Sequence, residues 1–210
     1  MDLKEFWEKE EKQSMKGWDF SHIEGRWSEE PLPFDYKKMI QSQLKSKDTL
    51  LDMGTGGGEF LLSLNHKPSL TYATEGYKPN LEYCEEHLSP LGITVREIDK
   101  SGKIPYADNK FDMVINKHSH YDISEVFRVL KDEGIFITQQ IGIHNNQDLS
   151  RVFIKDFELA SKDQGLDIKS KECHDCGFSV IRAEEYFPRI QFFDIGALVF
   201  FCKTIVFNAI

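Results

Sequence analysis

Four cysteines in 210 residues are too few and too scattered for a disulfide scaffold. Two of them lie in Cys173-His174-Asp175-Cys176, but no second such pair completes the four ligands of a structural zinc site, so no metal is expected. Positive charge is scarce as well: 26 Lys and Arg stand against 35 Asp and Glu, a net charge of −9. That balance argues against a broad grip on nucleic acid, which needs clustered cations. No apolar run reaches the roughly 20 residues of a membrane span. The best candidate, residues 195–210, follows Asp194 and is broken by Lys203 and Asn208, so it reads as a buried core element. Residues 1–5 are polar and lack the apolar core of a secretory signal, which makes the cytoplasm the default location. Internal repeats and low-complexity tracts are missing too.

What is present is an alternation of elements. Leu3, Phe6 and Trp7 at helical spacing predict a helix over residues 2–16, and a second helix is expected over residues 34–45. Between them runs an aromatic and proline-rich passage with Trp18, Phe20, Trp27, Pro31, Pro33, Phe34 and Tyr36. Strands are expected at residues 49–53, 70–74, 93–98, 111–116 and 135–141. Helices intervene: one opens near Gly57, and another starts at Pro79 and shows the apolar face Leu81, Cys84 and Leu88. A third begins at the capping-box signature Asp122-x-x-Glu125 and runs through Leu130, with Gly134 just beyond it. Further on, helices over 149–162 and 166–176 and strands over 178–181 and 190–193 complete the pattern. Strands alternating with helices imply an α/β, Rossmann-like, doubly wound and mainly parallel sheet with helices on both faces. One domain is expected, with a helical and aromatic N-terminal cap (1–47), a core (48–145) and C-terminal helices and late strands (146–210).

Ligands of such sheets bind beyond the carboxyl ends of the strands. Here those ends are Asp52-Met53-Gly54, Glu75-Gly76, Asp99-Lys100, Asn116-Lys117-His118 and Gln139-Gln140. The first opens Gly54-Thr55-Gly56-Gly57-Gly58, a turn whose glycines let main-chain amides approach a ligand. A dinucleotide fingerprint would need a small residue where Glu59 stands. Glu75 lies 21 residues after Gly54, near the offset of a ribose-binding acid, although an exposed loop acid would read the same way. Asp52 suits cofactor binding or simple helix capping. Asp99 suits an adenine amino group or a loop. His118 and His120 suit proton transfer at neutral pH or a solvated loop. The aromatics of residues 18–36 suit a lid over a cationic ligand or ordinary core packing.

In order along the chain, Leu51-Asp52-Met53-Gly54-Thr55-Gly56-Gly57-Gly58, Thr74-Glu75-Gly76, Ile104-Pro105-Tyr106-Ala107-Asp108-Asn109-Lys110-Phe111-Asp112 and Glu125-Val126-Phe127-Arg128-Val129-Leu130-Lys131-Asp132-Glu133-Gly134 resemble the class I S-adenosylmethionine-dependent methyltransferases. The likeness is to the type 11 core and to a bacterial branch of it, over residues 49–141. It implies S-adenosylmethionine as cofactor, with Asp52, Gly54, Gly56, Glu75, Asp99 and Asn116 at the cofactor. Trp18, Tyr36, His120 and Gln139 are then candidates for the acceptor, and His118 for its proton. The family ends its sheet with an antiparallel strand pair, which this sequence shows incompletely after Phe193. The expected reaction is methyl transfer to an oxygen or nitrogen of a small molecule. An RNA or protein acceptor, or a cofactor-binding interaction protein without catalysis, are the alternatives.

Overall fold

A computed structural model describes residues 2–15, 19–159 and 165–206. In chain order the elements begin with α1 (Leu3–Glu11), β1 (Trp27–Glu29), α2 (Tyr36–Gln43), β2 (Leu50–Met53) and α3 (Glu59–Ser63). Then come β3 (Thr71–Glu75), α4 (Lys78–His87), β4 (Thr94–Glu97), β5 (Phe111–Lys117), α5 (Ile123–Val129) and β6 (Leu130–Gln139). The remainder holds α6 (Gln147–Phe153), α7 (Leu166–Asp175), β7 (Ile190–Phe192) and α8 (Ile195–Phe201). The chain divides into two compact units, one of residues 34–141 and 167–183, the other of residues 1–33, 142–166 and 184–210.

The first unit contains a five-stranded sheet in the order β4-β3-β2-β5-β6, and every pair is parallel. Its central strands are apolar at successive positions, with neighbouring side chains such as Leu50 and Leu51 or Met113 and Val114 entering cores on opposite faces, as a sheet buried on both faces requires. Leu50, Ala73, Met113 and Ile115 pack with Tyr36 and Ile40 of α2, Leu61 of α3 and Cys84 of α4. Leu51, Met53 and Val114 pack on the opposite side with Val126 and Val129 of α5. This is the Rossmann-like, doubly wound architecture that the alternation of elements predicts. Chain order reverses at β2, whose neighbours are β3 on one side and β5 on the other, so the switch point lies between β2 and β5.

Several local expectations change. Asp122 does cap α5, accepting from the Ser124 amide at 2.8 Å, but Glu125 does not complete a capping box. Its carboxylate instead accepts from the Ile104 amide and from Arg128, both at or below 2.8 Å. The helix stops at Val129 and the strand begins at Leu130, five residues before the expected 135–141. Residues 131–134 form an irregularity within β6, because Leu130 pairs with Phe111 while Ile135 already pairs with Met113. Glu133, at φ +60°, and Gly134 make the turn inside the strand rather than before it. No strand forms over 178–181, and α6 ends at Phe153, short of the expected 149–162 helix. Among the described residues no antiparallel strand adjoins β6.

In the second unit, β7 pairs antiparallel with β1, Trp27 opposite Phe192. Phe20, Trp27 and Phe192 pack around Phe201, alongside Ile23, Ala197 and Phe200, so residues 195–206 supply a core as expected. Arg26 ties the unit together. Its guanidinium donates to both Asp194 oxygens, at 2.8 and 2.7 Å, and to Glu10 of α1 at 3.0 Å. No described helix is long and apolar enough to cross a membrane.

Candidate functional site

The site begins with backbone geometry at the end of β2. Gly54, Gly56 and Gly58 take φ of +67°, +63° and +84°, a left-handed region that costs other residues energy. The Gly54 and Thr55 amides both donate to the Thr74 carbonyl, at 2.9 and 3.1 Å, which fastens the turn to β3. Gly58 lies against Leu88, whose Cδ1 would stand 2.7 Å from any added Cβ, so α3 and α4 approach closely there. At Gly56, by contrast, no atom lies within 4 Å of that position. The crest of the turn is therefore open, as a backbone cradle for a ligand must be.

Two carboxylates flank this cradle. Glu75 accepts from the Gly56 amide at 2.7 Å through Oε2 and from the Gly76 and Tyr77 amides at 2.9 and 2.8 Å through Oε1. A carboxylate offers about four acceptor positions, so room remains for a ligand hydroxyl. Asp52 is 4% exposed. Burial pushes its pKa up to about 7, with the nearby Glu75 charge adding to the rise and the Thr55 side chain opposing it. Cys84 donates its thiol to the Gly56 carbonyl at 3.1 Å, and burial raises it to about 11, so it stays a thiol. The Thr74 hydroxyl, wholly buried, finds no partner among the described residues.

Across the switch point, β5 ends in a polar knot. Asn116 is fully buried, its Oδ1 accepting from Gln140 Nε2 at 2.5 Å and its Nδ2 facing the Met53 carbonyl at 3.4 Å. The Tyr36 hydroxyl sits 2.9 Å from the Asn116 carbonyl and 3.1 Å from that of Ile137, and accepts from the Asn116 amide at 3.1 Å. Tyr36 thus bridges β5 and β6 by their backbones. His118 follows on an exposed loop with φ +59°. Partial desolvation and the Lys117 charge hold its pKa below the usual histidine range. Its amide donates to the Gln139 carbonyl at 2.9 Å. His120 is exposed on the same loop. Asp99 lies on an exposed loop after β4, where its carboxylate accepts from the Ser101 hydroxyl and, at 2.8 Å, the Ser101 amide. Those bonds, the hydroxyl first, lower its pKa.

Of the expected site residues, Asp52, Gly54, Gly56, Glu75 and Asn116 converge on the switch point, with His118 and Gln139 at the adjoining strand ends. Trp18 lies outside the described residues. Ser119 is not among the candidates read from the sequence, and Gln140 enters there only as part of the Gln139-Gln140 strand end, since a serine and a glutamine near strand ends carry no chemical signature of their own. Among the described residues no group of three His, Cys, Asp or Glu could hold a metal ion.

Residues 51–138 match the family profile described as a methyltransferase domain. An uncharacterized protein, MJ1252, of Methanocaldococcus jannaschii is 30% identical over 116 residues, which are 52% of this chain and 43% of that protein. The chain thus spans less than half the length of the curated relative it matches. A SAM-dependent methyltransferase of Aquifex aeolicus superposes with a TM-score of 0.51 at 21% identity, over 87% of this chain and 91% of that one. SpnF, a (4+2)-cyclase, superposes with a TM-score of 0.53 at 16% identity, over 70% of this chain and 57% of its own. At these identities the structural likeness speaks for the fold. Residues 51–138 thus match a methyltransferase domain, set in the Rossmann-like parallel sheet described above. The match implies S-adenosylmethionine, the methyl donor of such domains, as the cofactor. The open Gly56 crest and the flanking Glu75 fit such a group.

Proposed function

We propose that the protein transfers a methyl group from S-adenosylmethionine to an oxygen or nitrogen of a small-molecule acceptor, in the cytoplasm. The observation that carries this is the Glu75 carboxylate bound to the Gly56 amide beside an open glycine crest at the switch point. When bound, the cofactor supplies a methyl carbon activated by its sulfonium. In this reading Glu75 accepts from a ribose hydroxyl through its one remaining acceptor position, and the buried Asp52 lends negative potential beneath the turn. Asp99 reaches the adenine amino group by giving up its Ser101 bonds. Asn116 shapes the floor between cofactor and acceptor.

Aligning the acceptor with the methyl carbon accounts for most of the acceleration. His118, neutral at physiological pH because its pKa is lowered, takes the acceptor's proton on an imidazole nitrogen. Gln139 and His120 then orient the acceptor, and Tyr36 supports both through the strand ends it bridges. Calorimetric titration with S-adenosylhomocysteine tests the cofactor half: micromolar binding is expected, and equal binding by Glu75→Ala would sink it. A methyl-transfer assay over a metabolite panel tests the other half. The likeness to a cyclase shows that this fold also serves other chemistry, so tight cofactor binding with no transfer across the panel would favour a non-methylating role.

A further inference from the structure

The loop that carries His118 is held at three points, and one of them lies on the cofactor turn. The His118 amide is bound to the Gln139 carbonyl. Gln140 Nε2 meets Asn116 Oδ1 at 2.5 Å, Thr138 Oγ1 at 2.8 Å and the Ser119 carbonyl at 3.4 Å, pinning the loop to the end of β6. The third point is the side chain of Ser119, which rests directly on Gly54. A Cβ added at Gly54 would stand 2.3 Å from Ser119 Oγ and 2.5 Å from its Cβ. Both atoms lie near the base of a short side chain, so the contact cannot be relieved by swinging a flexible tip away.

His118 stands between these anchors in a left-handed conformation that is uncommon outside glycine and that persists where its surroundings impose it. Its amide is fastened to β6 on one side and the next residue is seated on β2's glycine turn on the other. Gly54 itself is at φ +67° and bound through its amide to the Thr74 carbonyl. The chain of contacts from β3 through Gly54 and Ser119 to His118 is therefore continuous and close-packed, which is the condition for a local shift to be transmitted.

We propose that Ser119 is a positioning residue: it registers the His118 loop on Gly54, so that cofactor binding at the glycine turn orders His118. The inference rests on the cofactor reading above. Serine suits the role because its Cβ and hydroxyl fill the space that the missing Gly54 side chain leaves. Glycine at position 119 would leave that space empty, and threonine would overfill it.

Hydrogen exchange of the His118 amide with and without saturating S-adenosylhomocysteine tests this. Wild type and Ser119→Ala, which keeps the Cβ contact, should gain about tenfold protection on binding. Ser119→Gly should bind the ligand within about threefold of wild type yet show no such gain. If Ser119→Gly does not fold, Ser119→Thr carries the test: its added methyl should weaken binding about tenfold through Gly54. Equal protection in Ser119→Gly, or unchanged binding by Ser119→Thr, overturns the proposal. Binding to wild type with no change at the His118 amide overturns it alone, whereas no binding to wild type removes the cofactor reading and the proposal together.

Discussion

The Glu75 carboxylate and the Gly56 amide lie 2.7 Å apart, joining the end of β3 to the crest of the turn after β2. The same carboxylate binds the Gly76 and Tyr77 amides, so one side chain sets the shape of two adjacent loops. Glu75→Ala removes an acceptor from three amides. It should lower stability by about 1–3 kcal/mol and weaken S-adenosylhomocysteine binding at least about tenfold. Thermal unfolding and calorimetric titration of the same sample measure both effects.

Asp52 gives the protein a pH dependence of defined sign. Its folded pKa of about 7 lies above the unfolded value of about 3.9, so between these pH values the native state holds a proton that the unfolded chain does not. Its contribution to stability is full below about pH 4 and is lost as pH rises through about 7, by at most roughly 4 kcal/mol. Asp52→Asn should therefore gain melting temperature over wild type between pH 5 and pH 8. A constant difference between the two melting curves across that range would contradict the assignment.

Gly58 tests packing rather than chemistry. Any side chain there meets Leu88 at 2.7 Å and must also accept φ +84°. Gly58→Ala should cost about 1–3 kcal/mol in urea unfolding, with the slope of the transition unchanged.

Tyr36 was expected among the acceptor contacts, yet its hydroxyl lies against the backbones of β5 and β6. Tyr36→Phe should destabilise by about 1–3 kcal/mol because it strips a buried bridge from Asn116 and Ile137. It should leave cofactor affinity within about threefold. A large loss of affinity with full stability would place the hydroxyl at the ligand instead.

Arg26 offers a test confined to the other unit. Arg26→Met leaves the Asp194 and Glu10 carboxylates without their shared donor, and Glu10 is only 6% exposed. Hydrogen exchange in α1 and α8 should rise by at least about tenfold. Arg26 holds the Asp194 pKa down to about 2, so the stability this pair contributes is full above about pH 4 and is lost as pH falls through about 2, where Asp194 itself takes up a proton.

Much of the fold was readable because it rests on local rules. Pro79 lies in the first turn of α4, one position after its start at Lys78, Asp122 caps α5, and the apolar runs at 49–53 and 111–116 became the central strands. The errors came where one local signal serves two structures. Gly134 looks like a helix stop, but it follows the positive-φ Glu133 in an irregularity inside a strand. The run at 178–181 has strand-like residues, but Phe178 packs against Phe127 and Phe136 without pairing. Glu125 had the spacing to cap its own helix, yet the Ile104 amide and Arg128 claimed it.

By itself the sequence determined the glycine turn, since only glycine accepts three left-handed conformations in five residues cheaply. It also determined the carboxylate at the end of the next strand, because strand length and crossover length set that offset. The tertiary structure alone decided that Glu75 would bind the Gly56 amide, that Tyr36 would bridge β5 and β6, and that Ser119 would rest on Gly54. Each of these contacts joins segments far apart in the chain, and sheet register, not local propensity, brings them within reach.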